Sequence, residues 1–185
     1  MANAVHGRLI NPWRVLGWGA AVTLLVAPLI AMRFTSEVNW TASDFIFAAV
    51  LFALIGGAFE LAIWASRNRA YRAGAALALL GTLLTIWANL AVGIVGSEDS
   101  PANSSFFIAL LIGIIFACVG RFRPKAMSIA TVVTAASLGV AFVVAVLQPT
   151  DEPFVPHIRE AFGTAIFAVL FLASSALFRK AAREG

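Results

Sequence analysis

The sequence predicts an all-α fold: a polytopic transmembrane bundle of six helices, one domain over residues 1–185, with both termini cytoplasmic. Three observations predict it. Apolar residues make up 61% of the chain and charged residues 12%, about half the roughly 25% that covers a water-facing domain. Mean hydropathy is +0.93. Six apolar runs of Leu, Ala, Ile, Val, Phe and Gly recur along the chain, each near the roughly 20 residues a helix needs to cross about 30 Å of hydrocarbon. This composition excludes an ordinary soluble globule, a disordered chain and a nucleic-acid binder. No alternating ten-residue segments of a barrel occur. Backbone groups in lipid must be satisfied internally, which leaves helices.

The first run is Val15 to Met32. It is too long for a cleaved signal, and no Ala-x-Ala site follows it. Pro28 removes one helix hydrogen bond, predicting a kink that frees the carbonyl of Leu24. The second run, Phe45 to Trp64, carries Glu60, and the third is Ala73 to Val95. The fourth, Phe106 to Gly120, has only 15 residues. It spans if Ser104 and Ser105 enter the interface or the bilayer thins. Met127 to Leu147 and Ala161 to Phe178 complete the set, and the connections are too short for a soluble domain. Trp13, Trp40 and Trp64 stand near helix ends, as interfacial anchors do.

Orientation follows from the basic residues. Arg8, Arg14, Arg67, Arg69, Arg72, Arg121, Arg123, Lys125, Arg179, Lys180 and Arg183 fall on one side, and only Arg33 and Arg159 on the other. Short cytoplasmic loops carry Lys and Arg, so this split places both termini in the cytoplasm, with a bacterial inner membrane as the expected home. The basic balance then reflects topology and anionic lipid.

The acids sort the opposite way. Glu37, Asp44, Glu98, Asp99, Asp151, Glu152 and Glu160 lie on the outer loops. Glu37, Asp44, Glu98, Asp99 and Asn103 offer oxygen ligands for a cation rim, since Ca²⁺ takes several oxygens. The competing reading is a solvated acidic face, because no EF-hand spacing is present. The identity of any metal stays open.

Glu60 is the one acid inside an apolar run, about 8 Å from the midpoint of its helix at 1.5 Å per residue. A carboxylate there costs about 2.5–3.5 kcal/mol and is expected to face protein or water. Ala49, Ala53, Gly56 and Glu60 form a narrow stripe of small residues that predicts an inward aim, since small stripes let helices pack closely. Gly74, Ala78, Gly81, Thr85, Ala88 and Val92 form a matching stripe on the third helix. The two stripes are expected to meet across the Ala65 to Arg72 turn, although either can serve another helix. The same depth arithmetic puts Trp18, Cys118, Thr131 and Ser174 with Ser175 at the level of Glu60. An indole N–H, a thiol and hydroxyls are groups that solvate a protonated acid or line a small site around it. Farther from the cytoplasm, Asn89 and Thr164 share a level and predict an interhelical hydrogen bond.

Other chemistry has no residues to carry it. The two histidines, His6 and His157, lie outside the apolar runs, which argues against haem or chlorin held across the bundle. No run contains a lysine for a retinal Schiff base, and no HExxH, GxSxG, P-loop or GxGxxG stretch occurs. These absences lean away from an enzyme and leave any cofactor unknown. The leading expectation is a bundle that binds or passes a small solute or cation, with Glu60 as its internal protonatable group. The rival is an accessory or scaffold subunit docked on a larger membrane complex. Beyond the lipid bilayer, the expected partners are a membrane protein or a second copy of this chain.

Three segments carry distinctive wording: Glu37-Val38-Asn39-Trp40-Thr41-Ala42-Ser43-Asp44-Phe45, Ser66-Arg67-Asn68-Arg69-Ala70-Tyr71-Arg72-Ala73-Gly74 and Gly96-Ser97-Glu98-Asp99-Ser100-Pro101-Ala102-Asn103. Together they resemble segments of small uncharacterised proteobacterial six-helix integral membrane proteins over roughly residues 33–105. The resemblance implies a six-helix bacterial membrane protein and assigns no activity.

Overall fold

The structure, a computed structural model, describes residues 12–97, 99–148 and 157–185. Among them six long helices and one short 3-10 turn are present, and no strand. The helices are α1 (Pro12–Ala31), α2 (Ala42–Ala65), α3 (Arg69–Ala91), α4 (Ser104–Val119), α5 (Pro124–Val146) and α6 (His157–Glu184), with the turn at Pro101–Asn103. The described residues are thus all-helical, as expected. Five spans are long and apolar enough to cross a membrane, and the short fourth run becomes one of them, 19 residues over Pro101–Val119, by including the 3-10 turn. The apolar part of α1, Gly17–Ala31, is shorter.

Polar caps set the helix edges, not the ends of the apolar runs. α2 starts at Ala42 because Thr41 and Asp44 cap it: the Thr41 N–H and hydroxyl donate to Asp44 Oδ2 at 2.7 and 2.8 Å. This is the reciprocal arm of a capping box. Asn68 caps α3, its Oδ1 accepting from the Tyr71 N–H at 3.0 Å. Pro124 opens α5 at a first-turn position where its missing N–H is harmless. α3 stops at Ala91, four residues before its apolar run ends, because Gly93 and Gly96 adopt φ of 73° and 70°. Such values favour glycine and end a right-handed helix.

The chain divides into two compact units, Met1–Glu60 and Leu61–Gly185, with α2 running across the division. In the first, the Trp18 indole lies against Gly56, where an added Cβ would sit 2.7 Å from the ring. Ala49 and Ala53 are exposed, while Ala48, Leu51 and Phe52 are buried. The small stripe of α2 is therefore occupied at Gly56 and open at its two alanines. Larger side chains bury more contact area, and exposing Ala to lipid carries no hydrophobic penalty.

The second unit is a four-helix bundle whose neighbours run α3–α6–α5–α4. Its main core gathers Ile94, Val95, Phe106, Leu138 and Phe171, and a smaller one gathers Tyr71, Ala75 and Phe178. The small stripe of α3 meets α6 at Gly74 and Gly81. A Cβ at Gly74 would sit 3.2 Å from the Phe178 ring, and one at Gly81 3.1 Å from the Phe171 ring. Aromatic rings thus fill the grooves that glycine leaves, since a bulky ring in a groove yields more dispersion contact than alanine against alanine. At the α4–α5 seam, Gly113 lies against Thr134 and Gly120 against Ala126.

The Asn68 end is closed by specific bonds. Arg72 donates from Nε to the Ser66 carbonyl at 2.7 Å and from Nη2 to the Ile63 carbonyl at 2.8 Å, satisfying carbonyls at the end of α2. Asn68 Nδ2 donates to Glu184 Oε2 at 3.0 Å. The Tyr71 hydroxyl donates to the Phe122 carbonyl at 2.9 Å, fixing a turn in which Arg121 and Phe122 both take positive φ.

Gly139 offers the opposite case to the packed glycines. It is exposed within α5, and an added Cβ would meet nothing within 4 Å. Gly139→Ala is expected to stabilise the protein by about 0.5–1 kcal/mol, the difference between the two residues in a helix interior. A higher melting temperature in detergent, at unchanged helix content by circular dichroism, checks it.

Candidate functional site

Two polar layers cross the second unit. The one nearer the Asn68 end is built from serines. Ser174 donates to the Gly74 carbonyl at 2.7 Å, which is accessible because Gly74 has no side chain. Ser175 and Ser128 hydroxyls lie 2.9 Å apart, and Ser175 also donates to the Ser128 carbonyl at 3.0 Å. Thr131 reaches the same carbonyl at 3.1 Å. The layer joins α3, α5 and α6 and spends its polar groups on itself. Thr85 and Thr134 likewise donate to carbonyls one turn back on their own helices.

The other layer lies where the segment after α3 folds back. Asn103 is 3% exposed. Its Oδ1 accepts from the N–H groups of Ile94 and Val95, each at 3.0 Å, and its Nδ2 donates to the Ser97 carbonyl at 2.7 Å. One side chain thus ties down a segment that has no ladder of its own, as buried backbone groups require. Glu160 holds the same segment from α6: its Oε1 accepts from the Gly96 N–H at 2.9 Å, and its Oε2 lies 2.7 Å from His157 Nδ1.

Asn89, on α3, is 2% exposed, and Thr164, on α6, is 4% exposed. The Asn89 Nδ2 donates to the Asn103 carbonyl at 2.9 Å. That bond fixes which end of the amide is which. Asn89 Oδ1 and Thr164 Oγ1 have no hydrogen-bond partner among the described residues. The expected Asn89–Thr164 bond is therefore replaced: the amide turns to the Asn103 carbonyl, and the two oxygens are left. Register brings them to one level. α3 and α6 run antiparallel with Gly74 against Phe178 and Gly81 against Phe171. Stepping along both helices from those pairs, Asn89 arrives opposite Gly163 and Thr164.

The residues singled out by depth are distributed as follows. Thr131 and Ser175 come together at the Ser128 carbonyl. Cys118 is exposed on α4. Trp18 belongs to the first unit, over Gly56, and Glu60 is half-buried at the end of that unit. Of the acidic loop residues, Glu37 and Asp99 are exposed. Asp44 caps its own helix, and Asn103 is buried with both ends of its amide bonded to backbone. Glu98 lies outside the described residues. Among the described residues, no three His, Cys, Asp or Glu side chains gather as a metal site.

Sequence reasoning placed Ser174 beside Ser175 at one level but not its bond to Gly74, and it missed Ser128 and the anchoring role of Glu160. Ser128 and Ser175 lie near one level of antiparallel neighbours, a signal available once α5 and α6 are known to be adjacent. His157 and Glu160 stand three apart, a helical spacing that places them on one face. No protein family, no curated protein and no solved structure matches the chain.

Proposed function

We propose that this membrane protein binds or passes a small solute or cation and catalyses no reaction. We place it in a bacterial inner membrane with both termini cytoplasmic. One observation supports the reading. The other buried serine and threonine hydroxyls among the described residues are answered by carbonyls or by one another, yet Asn89 Oδ1 and Thr164 Oγ1 are buried at one level without a partner. A buried polar group with no bond costs about 1–3 kcal/mol, so such a pair stands more cheaply with a guest than without one. Glu60, in the apolar stretch of α2, is the group that would carry a proton with the solute.

The test uses the full chain in proteoliposomes with a trapped pH-sensitive dye. Gradients of sodium, potassium and ammonium chloride are imposed in turn. The expected result is a lumenal pH change beyond that of protein-free liposomes, for at least one salt, that Glu60→Gln loses while its melting temperature stays within a degree or two of the wild type. No cation-dependent pH change in the wild type, or the same change in Glu60→Gln, overturns proton-coupled passage and leaves the accessory-subunit reading.

A further inference from the structure

We infer that Asn89 Oδ1 and Thr164 Oγ1 together seat one small guest that presents hydrogen-bond donors to them, either a water molecule or an ammonium ion in its place. This rests on the reading that the bundle binds a small polar guest, and it names the chemistry and the seat.

The site's polarity decides the class. Asn89 Nδ2 is committed to the Asn103 carbonyl at 2.9 Å, so the amide cannot turn its N–H groups inward without breaking that bond. What it presents is a bare acceptor. Thr164 adds a hydroxyl that both accepts and donates. The Asn103 carbonyl takes one of the two Nδ2 hydrogens, so an anion finds at most the second N–H and one O–H and is repelled by the amide oxygen. A donor-bearing guest is complementary: one of its hydrogens goes to Asn89 Oδ1, and Thr164 Oγ1 takes a second or gives its own proton to a water oxygen. Buried waters characteristically bridge such otherwise unsatisfied groups. Ammonium offers the same donors at nearly the same size. It leaves the Thr164 proton to seek a carbonyl one turn back, as Thr85 and Thr134 do on their own helices.

The surroundings fit a retained guest rather than a surface one. Asn89 and Thr164 are 2% and 4% exposed. The segment that carries the Asn103 carbonyl is pinned by Asn103 to Ile94, Val95 and Ser97, and by Glu160 to Gly96. Exchange of the guest then follows opening of that segment and is slow compared with exchange at an exposed carbonyl.

The test uses the full chain in detergent micelles, with the Asn89 side-chain amide resolved by ¹⁵N labelling. In choline chloride, the amide protons are expected to show cross-relaxation to a long-lived water. Thr164→Val should abolish this and Thr164→Ser should retain it. For an ammonium guest, the melting temperature instead rises by a few degrees in ammonium chloride over sodium and choline chloride at equal ionic strength, by linkage. That rise too should vanish in Thr164→Val and persist in Thr164→Ser. Either pattern supports the seat and identifies its occupant. The wild type showing neither signal, or Thr164→Val showing the same signal as the wild type, overturns it. A seated guest in a protein that moves no cation in vesicles would leave the seat standing and remove the transport function alone.

Discussion

Replacing Asn103 by alanine is expected to cost about 3 kcal/mol or more. The side chain accepts from two N–H groups and donates to one carbonyl, and Ile94 and Val95 are buried. Each buried group left without a partner costs about 1–3 kcal/mol, and water entering from the loop side recovers only part of that. The Asn89 amide is anchored to the carbonyl of the same residue, so loosening Asn103 also loosens the level where Thr164 lies. Ser104→Ala is the control. Its hydroxyl is exposed and bonds only to Pro101 in the adjoining turn, and exposed changes of this kind stay within about 0.5 kcal/mol. Melting curves of the two variants in one detergent check the difference. Equal stability would mean that the 92–103 segment is held by something other than this amide.

Gly113→Ala is the second large effect, and its sign is diagnostic. Alanine is the better helix former by about 1 kcal/mol, so an open site would be stabilised, as Gly139 is expected to be. At Gly113 the added methyl runs into the Thr134 hydroxyl, which is held at 2.9 Å by the Ala130 carbonyl. The helices must part or the hydroxyl must leave its bond. Overpacking of a tight core costs about 1–3 kcal/mol, so a net loss is expected despite the propensity gain. Thr134→Ala removes the obstacle, and the Gly113→Ala/Thr134→Ala pair should melt well above the level additivity predicts. An additive pair would show that α4 and α5 do not meet through this contact.

The number of helices was readable because lipid leaves the backbone no alternative to internal hydrogen bonds. Their edges were not, since Thr41, Asn68 and Pro124 act outside the apolar runs that mark the hydrocarbon. Depth along a helix is linear in sequence, so Thr131 and Ser175 could be placed at one level from residue counts alone. Facing is not linear in that way. Cys118 has the right depth and the wrong side of α4, and Ser128 was passed over beside the residues it bonds. Asn103 stands among acidic residues and reads as a solvated rim ligand. Two glycines with positive φ fold its segment back and bury it. The pairing of the α3 stripe with α6 was beyond a local pattern, because a glycine groove accepts an aromatic ring from any helix that reaches it.

The neighbour order α3–α6–α5–α4 has a consequence in time. α6 lies between α3 and α5, and it follows both in the chain. As the polypeptide emerges, α3, α4 and α5 enter the membrane before the helix that joins α3 to the other two. Until then the grooves at Gly74 and Gly81 lack their rings, the Gly74 carbonyl lacks the Ser174 hydroxyl, and Gly96 lacks its carboxylate. Completion of the second unit is therefore a late event in biosynthesis. The half-made intermediate bears a polar, glycine-lined face that the finished protein no longer shows.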